Sequence, residues 1–423
     1  MNTAGSGGPG NIMRRVARRS HGHVGGWILV LSILASGAAH AAVDKVTSST
    51  LAPIHTPSAP ISSEALLDVA IPPLNDGLGL TDEDDTVFPE VRFAETIYFS
   101  NQLAKTMEKS GAWGAIRVVP SSDVVMDVYI TGTILQSDGE TLDLEIRVYD
   151  TSGRQWLKER HRQVVGKYTY DRRLKTLADP FQNLFTTIAN HVLDVREEMS
   201  QEEAMRLRQI SELRFAREFS PEAFSEHIGE DRNGILTIER LPAENDSILE
   251  RIGMIRERDY LYVDTMQDYY DVFSRQMHLP YQDFRRASYD SVVKARQLKK
   301  RANRQMIAGM AGIIAGIYGR VSAINRMQFD GSTATAAAGG YALKQGLDTK
   351  QKAADQTERV AEMGSSLEAV IAPQVIALED RTVTLTGTVQ TQYEQWREML
   401  QRIYEQERTL PGTVTQQLSG NSN

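Results

Sequence analysis

The sequence predicts an α+β fold, and three patterns carry that expectation. Two runs between residues 126 and 148 alternate apolar and polar side chains with the period of a half-buried strand. The stretches on either side of them repeat apolar residues at helical spacing. A charge-free run rich in Gly and Ala, residues 305–319, then interrupts an otherwise charged helical half. With 423 residues, 41% of them hydrophobic, the chain has the material for roughly two to three folded domains. The absence of Cys excludes disulfides, thiol nucleophiles, zinc–thiolate sites and lipid anchors attached through Cys. A formal net charge of −8 argues against a general nucleic-acid binder.

Residues 1–41 read as a secretory signal peptide. Arg14, Arg15, Arg18 and Arg19 form a basic start, Trp27 to Leu34 an apolar middle, and Ala39-His40-Ala41 a cleavage site. Cleavage is expected after Ala41. Its removal takes away four arginines and no acidic residue, so the remaining chain is more acidic still. Residues 42–86 read as a Pro-rich linker, punctuated by Pro53, Pro57, Pro60, Pro72 and Pro73. Its closing run, Asp82-Glu83-Asp84-Asp85, is expected as a solvated loop, because adjacent carboxylates repel and no spaced calcium ligands accompany them.

Residues 87–197 read as a small α/β domain. Phe93, Ile97, Ala104 and Met107, with Leu103 beside them, mark a helix over about 91–110 that Gly111 stops. Met126, Val128, Ile130 and Ile134 alternate with Asp127, Tyr129, Thr131 and Thr133 in a first strand. Ser137-Asp138-Gly139 turns the chain into a second strand carrying Leu142, Leu144, Ile146 and Val148. Asp150-Thr151-Ser152-Gly153 turns it again into a third, from about Arg154 to Val164. Turns this short make an antiparallel meander. Its apolar face needs cover, which the helix at 91–110 and another over about 180–197 (Phe181, Leu184, Phe185, Ile188 and Val192) can supply. Arg92-Phe93-Ala94-Glu95, Gly111-Ala112-Trp113 and the first two strands carry a resemblance to small α/β domains of envelope accessory proteins. Those are the auxiliary components of bacterial lipid-transport ABC systems and the amino-terminal domain of the Tol–Pal β-propeller protein. The resemblance implies an accessory role in envelope transport.

Residues 198–303 read as a charged helical region. Leu213, Phe215, Ala216 and Phe219 lie close together, and Ser220-Pro221-Glu222 restarts a helix with Pro at its first position. From Ile248 to Met277, Leu249, Ile252, Ile255, Tyr262, Met266, Tyr269, Tyr270 and Phe273 recur at mixed helical spacing. These aromatics fit packing between helices better than a ligand cage. Asp231-Arg232-Asn233-Gly234 imitates part of a calcium loop, but Gly229 and Arg240 stand where its first and last acidic ligands are required.

Residues 304–347 read as a glycine-rich helical hairpin. Ala308, Gly312 and Gly316 repeat every four residues, as do Ala311, Ala315 and Gly319, with Gly309 between the two rows. Small residues at that spacing let helix backbones approach closely, as membrane helix pairs do. Asp330-Gly331 makes the turn, and Thr333 to Leu347 the second arm. The fifteen uncharged residues reach about 22 Å as a helix, short of a full span. Lys294, Arg296, Lys299, Lys300, Arg301 and Arg304 precede them, and basic flanks suit anionic headgroups. Burial against another helix and insertion in lipid are both open on these grounds.

Residues 348–410 read as a helix-strand-strand-helix module. Val360, Met363, Leu367 and Val370 face one side of a helix over 350–371. Val375 to Leu378 and Thr382 to Val389 make two strands, and Tyr393, Trp396, Leu400 and Ile403 an amphipathic helix. The phrase Val383-Thr384-Leu385-Thr386-Gly387-Thr388-Val389 resembles the BON module, a small envelope domain, and implies association with phospholipid. Residues 411–423 read as a disordered tail.

No catalytic pattern emerges. Gly-x-Ser-x-Gly and His-Glu-x-x-His are absent, and Gly166-Lys167-Tyr168 lacks the rest of a P-loop. The histidines beyond the signal, His55, His161, His191, His227 and His278, are widely spaced and read as structural, with no cofactor or metal expected. The sequence therefore points to an exported, non-enzymatic scaffold of the bacterial cell envelope. It would lie in the periplasm, attached to the outer or inner membrane or to a membrane protein, or joined to a second copy through the hairpin. An accessory binding component of a transport or secretion complex is the alternative, and an unrecognised periplasmic hydrolase a more remote one.

Overall fold

The computed structural model describes residues 45–46, 51–80, 87, 89–170, 178–323, 342, 344–363, 365 and 389–409. The signal peptide, the acidic run at 82–85, the segment 375–388 that carries nearly all of the two expected strands, and the tail lie outside these residues. The fold is α+β. A mixed sheet contains β1 (Lys45–Val46), β2 (Val69–Ile71), β3 (Ile116–Val118), β4 (Val128–Ser137), β5 (Thr141–Asp150) and β6 (Gln155–Val165). Its spatial order is β1-β6-β5-β4-β2-β3.

The meander is as expected. β4 pairs antiparallel with β5, Ile130 opposite Val148, and β5 pairs antiparallel with β6, Ile146 opposite Glu159. Helices α1 (Pro89–Glu108) and α2 (Gln182–Glu197) supply its cover. Ile97, Leu103, Ala104 and Met107 are buried in α1, but Phe93 is exposed. The buried face of α1 is rotated toward Val91, Ala94, Tyr98 and Phe99, because a further helix described below covers its outer side.

Residues 51–80 are not a linker. Val69, Ala70 and Ile71 are fully buried, and β2 lies between β3 and β4, parallel to both. Three consecutive apolar residues mark a strand buried on both faces. Pro72 and Pro73 follow it because a strand end needs no further amide donor. The upstream segment is strapped along α2, where Asn183 Oδ1 accepts from the Ala52 amide at 2.7 Å and Asn190 Oδ1 from His55 at 2.8 Å.

The helical region opens with α3 (Gln201–Phe219), started by a capping box between Ser200 and Glu203. The restart at Pro221 gives the short α4 (Pro221–Phe224). A hairpin then intervenes, β7 (Ile228–Glu230) with β8 (Leu236–Ile238). Asp231 Oδ1 accepts from the amides of Asn233 at 2.7 Å and Ile235 at 2.9 Å, and Gly234 adopts φ +77°. The calcium-like phrase is thus a hairpin turn, in which a short polar side chain and a glycine serve the backbone.

One helix, α5 (Ser247–Ala323), accounts for 77 residues, about 115 Å at the usual rise. Helical residues 344–363 form α6, and α7 spans Val389–Thr409. Val389 begins α7 instead of closing a strand, and α7 belongs to the main core rather than to a separate module. Tyr393 and Leu400 are buried, and Trp396 stacks on Tyr262 of α5 with centroids 4.8 Å apart. Arg397 bonds Glu218 of α3 and lies 3.5 Å from Asp259 of α5. Among the described residues, no helix is long and apolar enough to cross a membrane.

Candidate functional site

Helix α5 connects the folded domain to the segment singled out by the sequence, so its seat decides where that segment goes. Its first turns meet the sheet edge. The Tyr260 hydroxyl donates to the Val125 carbonyl at 3.2 Å, and Arg117 Nε to Asp264 Oδ1 at 2.6 Å. It then runs along α1. Asn101 bonds Asp271, the Tyr98 hydroxyl lies 2.8 Å from His278 Nδ1, and Tyr281 donates to Glu95.

The centre of this seam is a buried ionic network. Arg285 is fully buried, its guanidinium carbon 4.0 Å from the Tyr281 centroid, 4.8 Å from Phe181 and 5.5 Å from Phe99. Asp179 Oδ1 lies 3.4 Å from Arg285 Nη1, while Asp179 Oδ2 accepts from Tyr98 at 2.9 Å and Gln282 at 2.7 Å. Burial opposes the Arg285 charge, but Tyr281 and Asp179 outweigh it and hold the guanidinium above its ordinary value. Burial, reinforced by the Asp179 charge, drives the Tyr98 hydroxyl far above its own, so it stays a donor. A buried cation with one correct partner makes any displacement of the helix costly, which fixes its register.

Arg296 clamps α5 to the β4–β5 turn, bonding Asp138, Glu140 Oε2 at 2.7 Å and Thr141 Oγ1 at 3.0 Å. Beyond it come the exposed Lys300, Arg301 and Arg304, then the uncharged segment. Ile307 and Met310 are 64% and 47% exposed, and Leu347 on α6 is 52% exposed. Of the residues expected to form the small-residue face, Ala308 is exposed. The surroundings of Gly309, Gly312, Ala315, Gly316 and Gly319 lie outside the described residues, although α5 carries their backbone as helix. A close approach of helices occurs just before them. Gly346 of α6 sits so near Ala302 and Met306 that a Cβ there would lie 3.1 Å from the Ala302 carbonyl oxygen. Thr349 donates to Gln305 Oε1 at 3.0 Å beside it.

A second feature lies at the base of α5. A cavity of about 460 Å³ is lined by Glu64, Asp68, Asp127, Glu212, Arg256 and Tyr260, among others. Asp127 is buried against this cavity and accepts the Asp68 amide at 2.9 Å through Oδ2. Burial raises its carboxyl above the ordinary range, against the Asp68 amide and the Arg256 charge. Arg256 donates to Ser211 Oγ at 2.6 Å and to Tyr260 at 2.9 Å. Carboxylates outnumber cations here, so the cleft favours a cationic ligand.

The histidines are not all isolated. His161 and His191 stand with ring centroids 5.4 Å apart, beside Glu159. Spacing along the chain concealed this, because the packing of α2 on β6 brings the two rings together. Comparison of the chain with protein-family models, curated proteins and solved structures gives no match.

Proposed function

We propose that the chain is an exported, non-enzymatic scaffold of the cell envelope that associates with a membrane through the far end of α5. One observation carries the reading: Ile307 and Met310 are exposed directly after the exposed cations Lys300, Arg301 and Arg304. Large apolar side chains next to a basic collar match the acyl boundary and anionic headgroups of a bilayer surface. The rest of the chain is acidic overall, so the collar is a local reversal of sign. The α/β domain is then held at the surface by a rigid helix whose register is locked.

Co-sedimentation of the signal-free chain with phosphatidylcholine vesicles, with and without phosphatidylglycerol, tests this. Binding is expected with the anionic lipid, weakened by salt and lost in the double variant Ile307→Glu, Met310→Glu. Equal recovery of the double variant and the unaltered chain with the vesicles, or no binding at all, overturns it. Amino-terminal sequencing of the exported protein, expected to begin at Ala42, tests the export step.

The cleft at Asp127 favours an alternative, an accessory component that binds a cationic surface of an envelope transport or secretion partner. A photo-crosslinker at Gln209, which lines the cleft, would then capture such a component in cells, while one at Glu198 would not. Equal capture at both positions would refute it.

A further inference from the structure

We propose that Glu159, His161 and His191 form a binding site for a divalent transition-metal ion of the zinc class. Glu159 and His161 are two residues apart on β6, so they share a face of the strand. His191 comes from α2, which packs on that strand. One ligand atom from each residue lies within 4.8 Å of the other two. Glu159 Oε2 is 3.2 Å from His191 Nδ1 and 3.8 Å from His161 Nε2. Ligand atoms around a tetrahedral zinc, at about 2.0–2.1 Å from the ion, stand about 3.3 Å apart. The two Glu159 separations are within about 0.5 Å of that spacing, and the two imidazoles, whose ligand atoms lie within 4.8 Å of each other, close the set through a movement of the half-exposed His191 ring.

Two further observations point to a ligand rather than to a simple polar cluster. His161 is 7% exposed, and its Nε2 is buried with no hydrogen-bond partner, a costly state for a ring nitrogen that a metal would relieve. The side chains of Glu159 and His191 are 53% and 46% exposed, which opens one side of the site to entering metal and completing waters. Two imidazoles and one carboxylate suit zinc, cobalt(II) and nickel(II), whereas calcium and magnesium prefer all-oxygen sets. An ion there joins β6 directly to α2, a cross-link in a chain that has no disulfide.

The test uses the signal-free chain without a histidine tag, freed of metal by chelation. Titration with cobalt(II) is expected to give a visible d–d spectrum at one ion per chain, and zinc to displace it and raise the melting temperature. His191→Ala, at a half-exposed position, should lower zinc affinity about tenfold or more, and Glu159→Gln should do so as well. His227→Ala, away from the cluster, should leave affinity and spectrum unchanged. No spectrum and no thermal shift, or an unchanged affinity in both His191→Ala and Glu159→Gln, overturns the site.

Discussion

The turn residue Gly139 lies so close against Arg285 that a Cβ placed on it would come within 2.6 Å of the Arg285 carbonyl oxygen. The same atom would lie 3.1 Å from the Cα of Tyr289. Glycine is required here by the approach of helix α5, not by an unusual backbone angle. Gly139→Ala should therefore lower stability by about 1–3 kcal/mol, the range for overpacking. Gly253→Ala, where a Cβ meets nothing within 4 Å, should gain up to about 1 kcal/mol from helix propensity. Urea unfolding of the two variants beside the unaltered chain separates them, and a shared midpoint would contradict the close approach.

Removing Asp179 isolates Arg285 in a place closed to water. Asp179→Ala should cost about 3–5 kcal/mol, the range for breaking one half of a buried pair. Asp179→Asn keeps an acceptor oxygen for the Phe181 amide, and its NH2 can donate to the Tyr98 hydroxyl in place of the bond lost there, so it should cost less. Denaturant midpoints give the order, and an Ala variant no less stable than the Asn variant would show that the pair does not secure the helix.

Asp127 makes the stability pH-dependent with a definite sign. Burial chiefly raises its folded-state value, with the Asp68 charge adding and the Asp68 amide and Arg256 opposing. Its contribution is therefore complete below the unfolded value of about 3.9 and is lost as pH rises through the folded value. Asp127→Asn, which stays neutral and keeps an acceptor for the Asp68 amide, should be more stable than the unaltered chain at about pH 7.5. The gap should close toward about pH 4, where both side chains are neutral. Arg256 retains Ser211 and Tyr260 in this variant. A gap independent of pH would remove Asp127 as its source.

Helix α7 rests on its aromatic contact. Trp396→Ala removes the stack on Tyr262 and should cost about 2–3 kcal/mol, while Trp396→Phe keeps most of it. Limited proteolysis should then cut within 389–409 earlier in the Ala variant. Equal cutting rates for the two variants would place the anchor elsewhere, for instance at Arg397 with Glu218.

The parts of the fold that were legible are those in which one partner sets the pattern throughout. β4 and β5 bury one face along most of their length, so alternation survives in the sequence. β2 escaped notice because three residues buried on both faces show no alternation and sit among prolines. β7 and β8 are equally short. The length of α5 was hidden because it changes neighbours along its course, from the sheet edge at Tyr260 to α1 at Tyr281 and the β4–β5 turn at Arg296. Each neighbour imposes its own stripe, and Pro280 interrupts the run. Its i, i+4 series Tyr281, Arg285, Tyr289 was the available sign of a buried seam. The pairing of His161 with His191 left no trace at all, since a strand-to-helix contact has no fixed spacing.

A helix locked at Arg285 and exposed at Ile307 also transmits angle. Each residue turns the chain about 100°, so the bearing of Ile307 and Met310 is set by the count of residues back to the lock. Two residues inserted after Arg296 would swing that apolar pair about 200°, to the opposite side. Seven would carry it about 10 Å further out and turn it only about 20°. The scaffold thus encodes an orientation as well as a reach, and insertions of equal composition but different length should differ in whether the domain and its apolar tip face their surface together.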